Sequence, residues 1–168
     1  MPDRDPYDRL RPSILDRLTG SGGATSAAMR RGGVMNLEDL RAAVIRDLEW
    51  LLNSEAMSSK IDLEPYPFIP GSVLNYGMPD LAGATISTVR LEDLRAEVKR
   101  VIEDFEPRID KKTLEVHLVE HAHAGFNRIA FEISAEVLAE PLPIPLLLRT
   151  DFSLETGLCE LHESDGRD

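Results

Sequence analysis

The sequence predicts an α+β domain: two main amphipathic helices packed on a small, mostly antiparallel sheet, with a flexible N-terminal extension. Three observations predict it. Apolar residues recur at steps of three and four over 37–52 and again over 91–105. Beyond Pro107 the period drops to two, and turn residues separate the alternating runs. The 168 residues are 42% hydrophobic and 29% charged, the balance of a globular chain with room for one core. The domain is placed at residues 36–162, with 1–35 as the extension and 163–168 as a disordered tail.

In the extension, Pro12-Ser13-Ile14-Leu15-Asp16-Arg17-Leu18 can make one or two helical turns with Ile14, Leu15 and Leu18 on one side. Thr19 to Gly33 follows with five glycines, the composition of a tether. An apolar patch on a tether either folds back on its own domain or enters another protein's groove, and both readings stand. Asn36 is a good N-cap for the first helix, and Glu38 and Asp39 suit the positive end of its dipole. Leu37, Leu40, Val44, Leu48 and Leu51 make one stripe, which Trp50 and Leu52 widen. The second helix, from Leu91 to Phe105, carries Leu91, Leu94, Val98, Val101, Ile102 and Phe105 on one face.

Both helices open with the same six residues, Leu-Glu-Asp-Leu-Arg-Ala, at 37–42 and 91–96. Their flanks do not match, so the identity reads as convergence on an acidic helix start rather than as a repeat. Between the helices, residues 54–87 are rich in proline and glycine, with Ser72 to Gly77 as a short helical turn closed by Gly77. Tyr66, Phe68, Ile69, Val73, Leu74 and Tyr76 make this segment too apolar for a linker, so it packs or binds.

The strands follow. Leu114, Val116 and Leu118 alternate with Glu115, His117 and Val119, and Ile129, Phe131, Ile133, Ala135 and Val137 with Arg128, Ala130, Glu132, Ser134 and Glu136, with Ala124 to Asn127 as the turn between them. Pro141 to Pro145 is expected as a connector, because proline cannot continue a central strand. Leu146 to Phe152 is the next strand, and Glu155-Thr156-Gly157 turns it into a last one, Leu158 to His162.

A formal charge of −11 argues against a nucleic-acid grip or a polybasic membrane patch over the whole surface. The single cysteine, Cys159, rules out a disulfide scaffold and fits a reducing compartment. Neither a signal peptide nor a membrane-length apolar run is present, so a soluble, cytoplasmic protein is expected. There is no Gly-x-Ser-x-Gly elbow and no phosphate-binding glycine loop. His117, His121 and His123 share one strand face and could ligate zinc; no carboxylate or cysteine at ligand spacing joins them, so the wet face of the sheet is the preferred reading. Glu103, Asp104 and Glu106 cluster at a helix end without any feature that selects a sugar. No catalytic residue, cofactor or metal is assigned.

Glu106-Pro107-Arg108 stands out. Proline pushes the residue before it out of the α region, so the helix stops at this point. In an extended run Glu106 and Arg108 project to one side, a small plus-and-minus clamp whose guanidinium can hold a carboxylate bidentately. An ordinary helix stop with solvated charges is the other reading.

This Glu-Pro-Arg, after an amphipathic helix and before alternating strands, resembles the signature of the phage baseplate wedge family, also labelled lysozyme-related, that includes the type VI secretion subunit TssE. Residues 12–18 are similar to the N-terminal motif of TssE, residues 72–81 to its loop between the helices, and Leu154-Glu155-Thr156-Gly157 to its final hairpin. The resemblance runs in order from Pro12 to Leu161. It implies a non-enzymatic baseplate subunit at the cytoplasmic base of a contractile injection machine, docked near the inner face of the cell membrane. Glu106, Pro107 and Arg108 match the motif implicated in contacts with the wedge subunits TssF and TssG. The implied fold is similar to the strand-exchanging part of the sheath subunit, so the chain is expected to template a sheath of TssB and TssC. The C-terminal strands offer the edge for this, with Leu146, Leu148, Phe152 and Leu158 as binding residues beside Ile14, Leu15 and Leu18. A peptidoglycan-type glycoside hydrolase, from the family label, and a zinc-binding module are the alternatives.

Overall fold

The computed structural model describes residues 37–83, 89–119, 128–139 and 142–164. Its main elements are α1 (Leu37–Leu52), α2 (Leu91–Phe105), β1 (Glu115–Leu118), β2 (Arg128–Val137), β3 (Ile144–Ser153) and β4 (Cys159–Glu163). The strands form one antiparallel sheet in the order β1-β2-β3-β4. The expected α+β architecture is the one observed. Asn36, the extension with Ile14, Leu15 and Leu18, and the turn at 124–127 lie outside the described residues.

One face of the sheet is dry. Ile129, Phe131, Ile133, Ala135 and Val137 of β2 lie opposite Phe152, Thr150, Leu148, Leu146 and Ile144 of β3, and all but the half-buried Ile144 are buried. The single polar member of this layer, Thr150, donates its hydroxyl to the Phe131 carbonyl at 3.2 Å, so its burial leaves no orphaned donor. Arg128, Arg149, Glu160 and His162 occupy the opposite, exposed face. That alternation is the signature of an antiparallel sheet with one side in water.

The helices cover the dry face. From α1, Leu40, Ala43, Val44, Leu48, Leu51 and Leu52 are buried; from α2, Leu94, Val98, Val101 and Ile102. Trp50 is a correction: it is 49% exposed, off the stripe, with the Arg46 guanidinium 5.0 Å from its ring centre. The shared opening hexapeptide has matching outcomes at the two sides of the sheet. Arg41 of α1 reaches Glu163 of β4 at 2.8 Å, and Arg95 of α2 reaches the Val116 carbonyl of β1 at 3.4 Å.

Ile144 and Pro145, expected in the connector, belong to β3. The register explains how. Pro145 lies opposite Glu136, whose N–H and C=O bond away from β3, to Thr113 Oγ1 and the Asp110 N–H. Pro145 therefore makes a non-hydrogen-bonded pair, and its missing N–H faces the β4 side, where β4 does not reach. Glu163, placed in the tail by sequence, ends β4, and the Ser164 N–H bonds the Leu147 carbonyl at 3.0 Å.

The segment after α1 folds back on the end of that helix. The Ala56 N–H bonds the Met78 carbonyl and the Met78 N–H bonds the Ser54 carbonyl, both at 2.8 Å. Val73–Asn75 forms a single 3-10 turn, capped by the Ser72 hydroxyl and followed by Gly77 at φ +122°. A Cβ at Gly77 would sit 2.3 Å from the Ser54 carbonyl oxygen, so both conformation and space require glycine. Gly77→Ala is expected to lower the unfolding free energy by about 2–3 kcal/mol in urea titration; an unchanged midpoint would show that the close approach does not constrain the fold.

Candidate protein-binding site

The corner after α2 is built around Glu106. Its N–H closes the helix on the Ile102 carbonyl at 2.9 Å, and its backbone (φ −116°, ψ +82°) has already left the helix because Pro107 follows. The chain then runs beside the end of β2: Leu138 N–H bonds the Arg108 carbonyl at 2.7 Å, and Ile109 bridges Val137. The helix stop and the end of β2 are thus joined through Arg108 and Ile109.

Glu106 and Arg108 do project together, but they close on each other. Arg108 Nε donates to Glu106 Oε1 at 2.7 Å and Nη2 to Glu106 Oε2 at 2.5 Å, a bidentate pair. The Arg108 N–H adds a third bond to Oε1 at 3.1 Å. Sequence reasoning missed the third member. Asp47, one residue before Leu48 on α1, accepts from Arg108 Nη2 at 2.6 Å and, through its other oxygen, from Arg46. Tyr76 reaches the same place from the inter-helix loop, its hydroxyl 3.5 Å from the Asp47 carbonyl and its ring edge-on to Phe105 at 5.4 Å.

Glu106 is 4% exposed. Burial pulls the Arg108 guanidinium down, but the Glu106 carboxylate and then Asp47 outweigh it and hold it above its ordinary value. Burial pushes the Tyr76 phenol up, and the carboxylates of Asp47 and Glu106 add to that. Glu106 is therefore a positioning group. Pro107 is the exposed member of the corner, and Arg108 beside it is half-buried, its side chain 28% exposed and its Nη1 without a hydrogen bond among the described residues.

The remaining sequence-derived site residues separate by orientation. Leu146, Leu148 and Phe152 are buried under the helices, so their side chains are not available at a surface, whereas Leu158 is 57% exposed. The acidic cluster at the end of α2 is partnered: Glu103 faces Lys99, Asp104 faces Arg100 and Glu106 holds Arg108. His117 is exposed beside Glu115, while His121 and His123 lie outside the described residues. Among the described residues no group of three or more His, Cys, Asp or Glu is arranged to hold a metal. Burial pushes the Cys159 thiol up to about 12, which holds it in the unreactive form.

A family model for baseplate wedge protein gp25 matches residues 38–142, well over half of the chain. The chain belongs to the baseplate wedge protein gp25 family. No curated protein and no solved structure matches it. As a baseplate wedge component it acts through contacts with other baseplate components, within a structural family. No helix among the described residues is long and apolar enough to cross a membrane.

The outer border of the sheet is partly closed. The Ser153 N–H bonds the Leu158 carbonyl, and the Ser164 N–H bonds the Leu147 carbonyl, so even-numbered residues of β4 face β3 and odd-numbered ones face outward. The first outward position is plugged. Asn53, at the end of α1, takes the Cys159 N–H on its Oδ1 at 2.9 Å and donates to the Cys159 carbonyl at 2.8 Å, as a neighbouring strand would. Leu161 and Glu163 come next, with no backbone partner on that side among the described residues.

Arg108→Ala strands the buried Glu106 carboxylate. The expected cost is about 2–3 kcal/mol of unfolding free energy, with part of it recovered when Glu106 is also replaced by Leu. A loss below about 0.5 kcal/mol, the range of a surface pair, would show that the corner is not part of the fold.

Proposed function

We propose that this chain is the TssE-like wedge subunit of a type VI secretion baseplate, joining the wedge subunits TssF and TssG and templating the first strands of a TssB–TssC sheath. Family membership supports the baseplate role. The observation that carries the templating role is the outer border of β4, where Leu161 and Glu163 leave main-chain donors and acceptors unpaired among the described residues. A strand added there gains backbone hydrogen bonds without needing a deep pocket. Wedge contact falls to the corner: Arg108 offers the N–H groups of Nη1, which make no hydrogen bond among the described residues, and Glu106 and the rigid Pro107 hold the guanidinium in place. This geometry suits a carbonyl or carboxylate acceptor on a packed helical partner.

The two surfaces lie on different elements, so one substitution can separate them. Proline at Leu161 removes an outward N–H and leaves the β3–β4 ladder intact, because the N–H groups facing β3 belong to even-numbered residues. Leu161→Pro is expected to co-purify with TssF and TssG at the wild-type level while sheath polymerisation, followed by electron microscopy, is lost. Normal sheath assembly by this variant would refute β4 as the templating border, and failure to co-purify with TssF and TssG in the wild type would refute the wedge assignment.

A further inference from the structure

Half of the large apolar side chains exposed among the described residues sit on one loop. Ile61, Tyr66, Phe68, Val73 and Leu74 are 47%, 53%, 91%, 80% and 59% exposed. Their display is built rather than slack. The N–H groups of Tyr66, Ile69, Ser72 and Asn75 each donate to the carbonyl three residues earlier, at 2.8–3.0 Å. Asn75, only 3% exposed, ties the loop together: its Nδ2 donates to the Pro70 carbonyl at 3.2 Å and its Oδ1 accepts from the Ser58 N–H at 2.9 Å. An apolar ridge held this firmly in water marks a docking surface whose ordering cost is already met.

The charges on the ridge specify the occupant. Residues 61–74 contain Asp62 and Glu64 and no Lys or Arg. The matching chemistry is an apolar segment with a positive excess, and the chain carries one. Residues 9–18 hold Leu10, Ile14, Leu15 and Leu18 together with Arg9, Arg11 and Arg17 against Asp16 alone. The tether fits the distance. Residues 19–36 join this segment to the first residue of α1, while residues 53–60 separate the end of that helix from the loop, and Met78 just beyond the loop bonds Ser54 and Ala56 just beyond the helix. The 16 residues of α1 span about 24 Å. A linker of 18 residues with this glycine content would, as a flexible chain, have an r.m.s. reach of about 21–25 Å. Such a match gives an effective concentration on the order of millimolar, enough to populate a contact of low intrinsic affinity.

We propose that residues 9–18 dock on the 61–74 loop of the same chain, with Ile14, Leu15 and Leu18 covering Phe68, Val73 and Leu74. The contact is independent of the baseplate role and resolves the tethered patch toward its own domain.

The test uses the full-length chain and disulfide trapping. Gly71 lies at the centre of the ridge, and a Cβ there meets nothing within 4 Å, so Gly71→Cys adds a thiol without disturbing the loop. Ser13→Cys supplies the second thiol beside the docking residues, and the buried Cys159 does not compete. The control pairs Ser13→Cys with Leu142→Cys. Leu142 is 71% exposed and close in sequence to Pro145, which shares a shallow groove with Arg41 near the start of α1, so the tether alone favours the control. Intramolecular disulfide at 13–71 is expected to form at least about tenfold faster than at 13–142, with Phe68→Ser abolishing the advantage. Equal rates, or faster trapping at 142, would overturn the proposal. Disulfide-linked dimers as the main 13–71 product would also overturn it, in favour of a second copy as the occupant.

Discussion

One buried carboxylate organises this molecule. Glu106 ends α2, and the proline after it sends the chain directly along the end of β2, so the helix layer and the sheet meet within a few residues. A carboxylate that is 4% exposed needs charged and hydrogen-bonded company. Arg108 supplies it through two side-chain bonds and one backbone bond, and carries the connection on to Asp47 of α1. Three segments distant in sequence are thereby tied at one point. These bonds use Nε and Nη2 and leave Nη1 without a hydrogen bond among the described residues.

The borders of the sheet show a second constraint. An antiparallel sheet of four strands has two edges, and unmanaged edges recruit unwanted strands. Arg95 touches the β1 edge at Val116, and Asn53 occupies the β4 edge at Cys159 by offering its carboxamide as a substitute strand residue. On β4 the plug stops after one rung. The border beyond it is short and carries Glu160, His162 and Glu163, polar side chains that disfavour casual pairing.

Much of this was legible in the sequence because burial imposes periodicity. The stripes of α1 and α2 and the alternation of β2 follow directly from the apolar spacing, and Gly77 from the turn it closes. What escaped depended on register or on distant neighbours. Pro145 reads as a strand breaker until the pairing shows its nitrogen on the open side. Trp50 reads as core by composition, yet its helix position turns it outward under Arg46. Leu146, Leu148 and Phe152 read as binding residues, yet the register turns their side chains into the core under the helices. The Glu-Pro-Arg corner was visible, whereas Asp47 was not, because no local signal links it to a residue 61 positions away.

The most direct measurement is a double-mutant cycle on Asp47 and Arg108, with each replaced by alanine singly and together and unfolding followed in urea. If the corner ties α1 to the exit of α2, the coupling energy is about 1–3 kcal/mol. Additive losses, within about 0.3 kcal/mol, would contradict a shared buried network and reduce the corner to an ordinary helix stop.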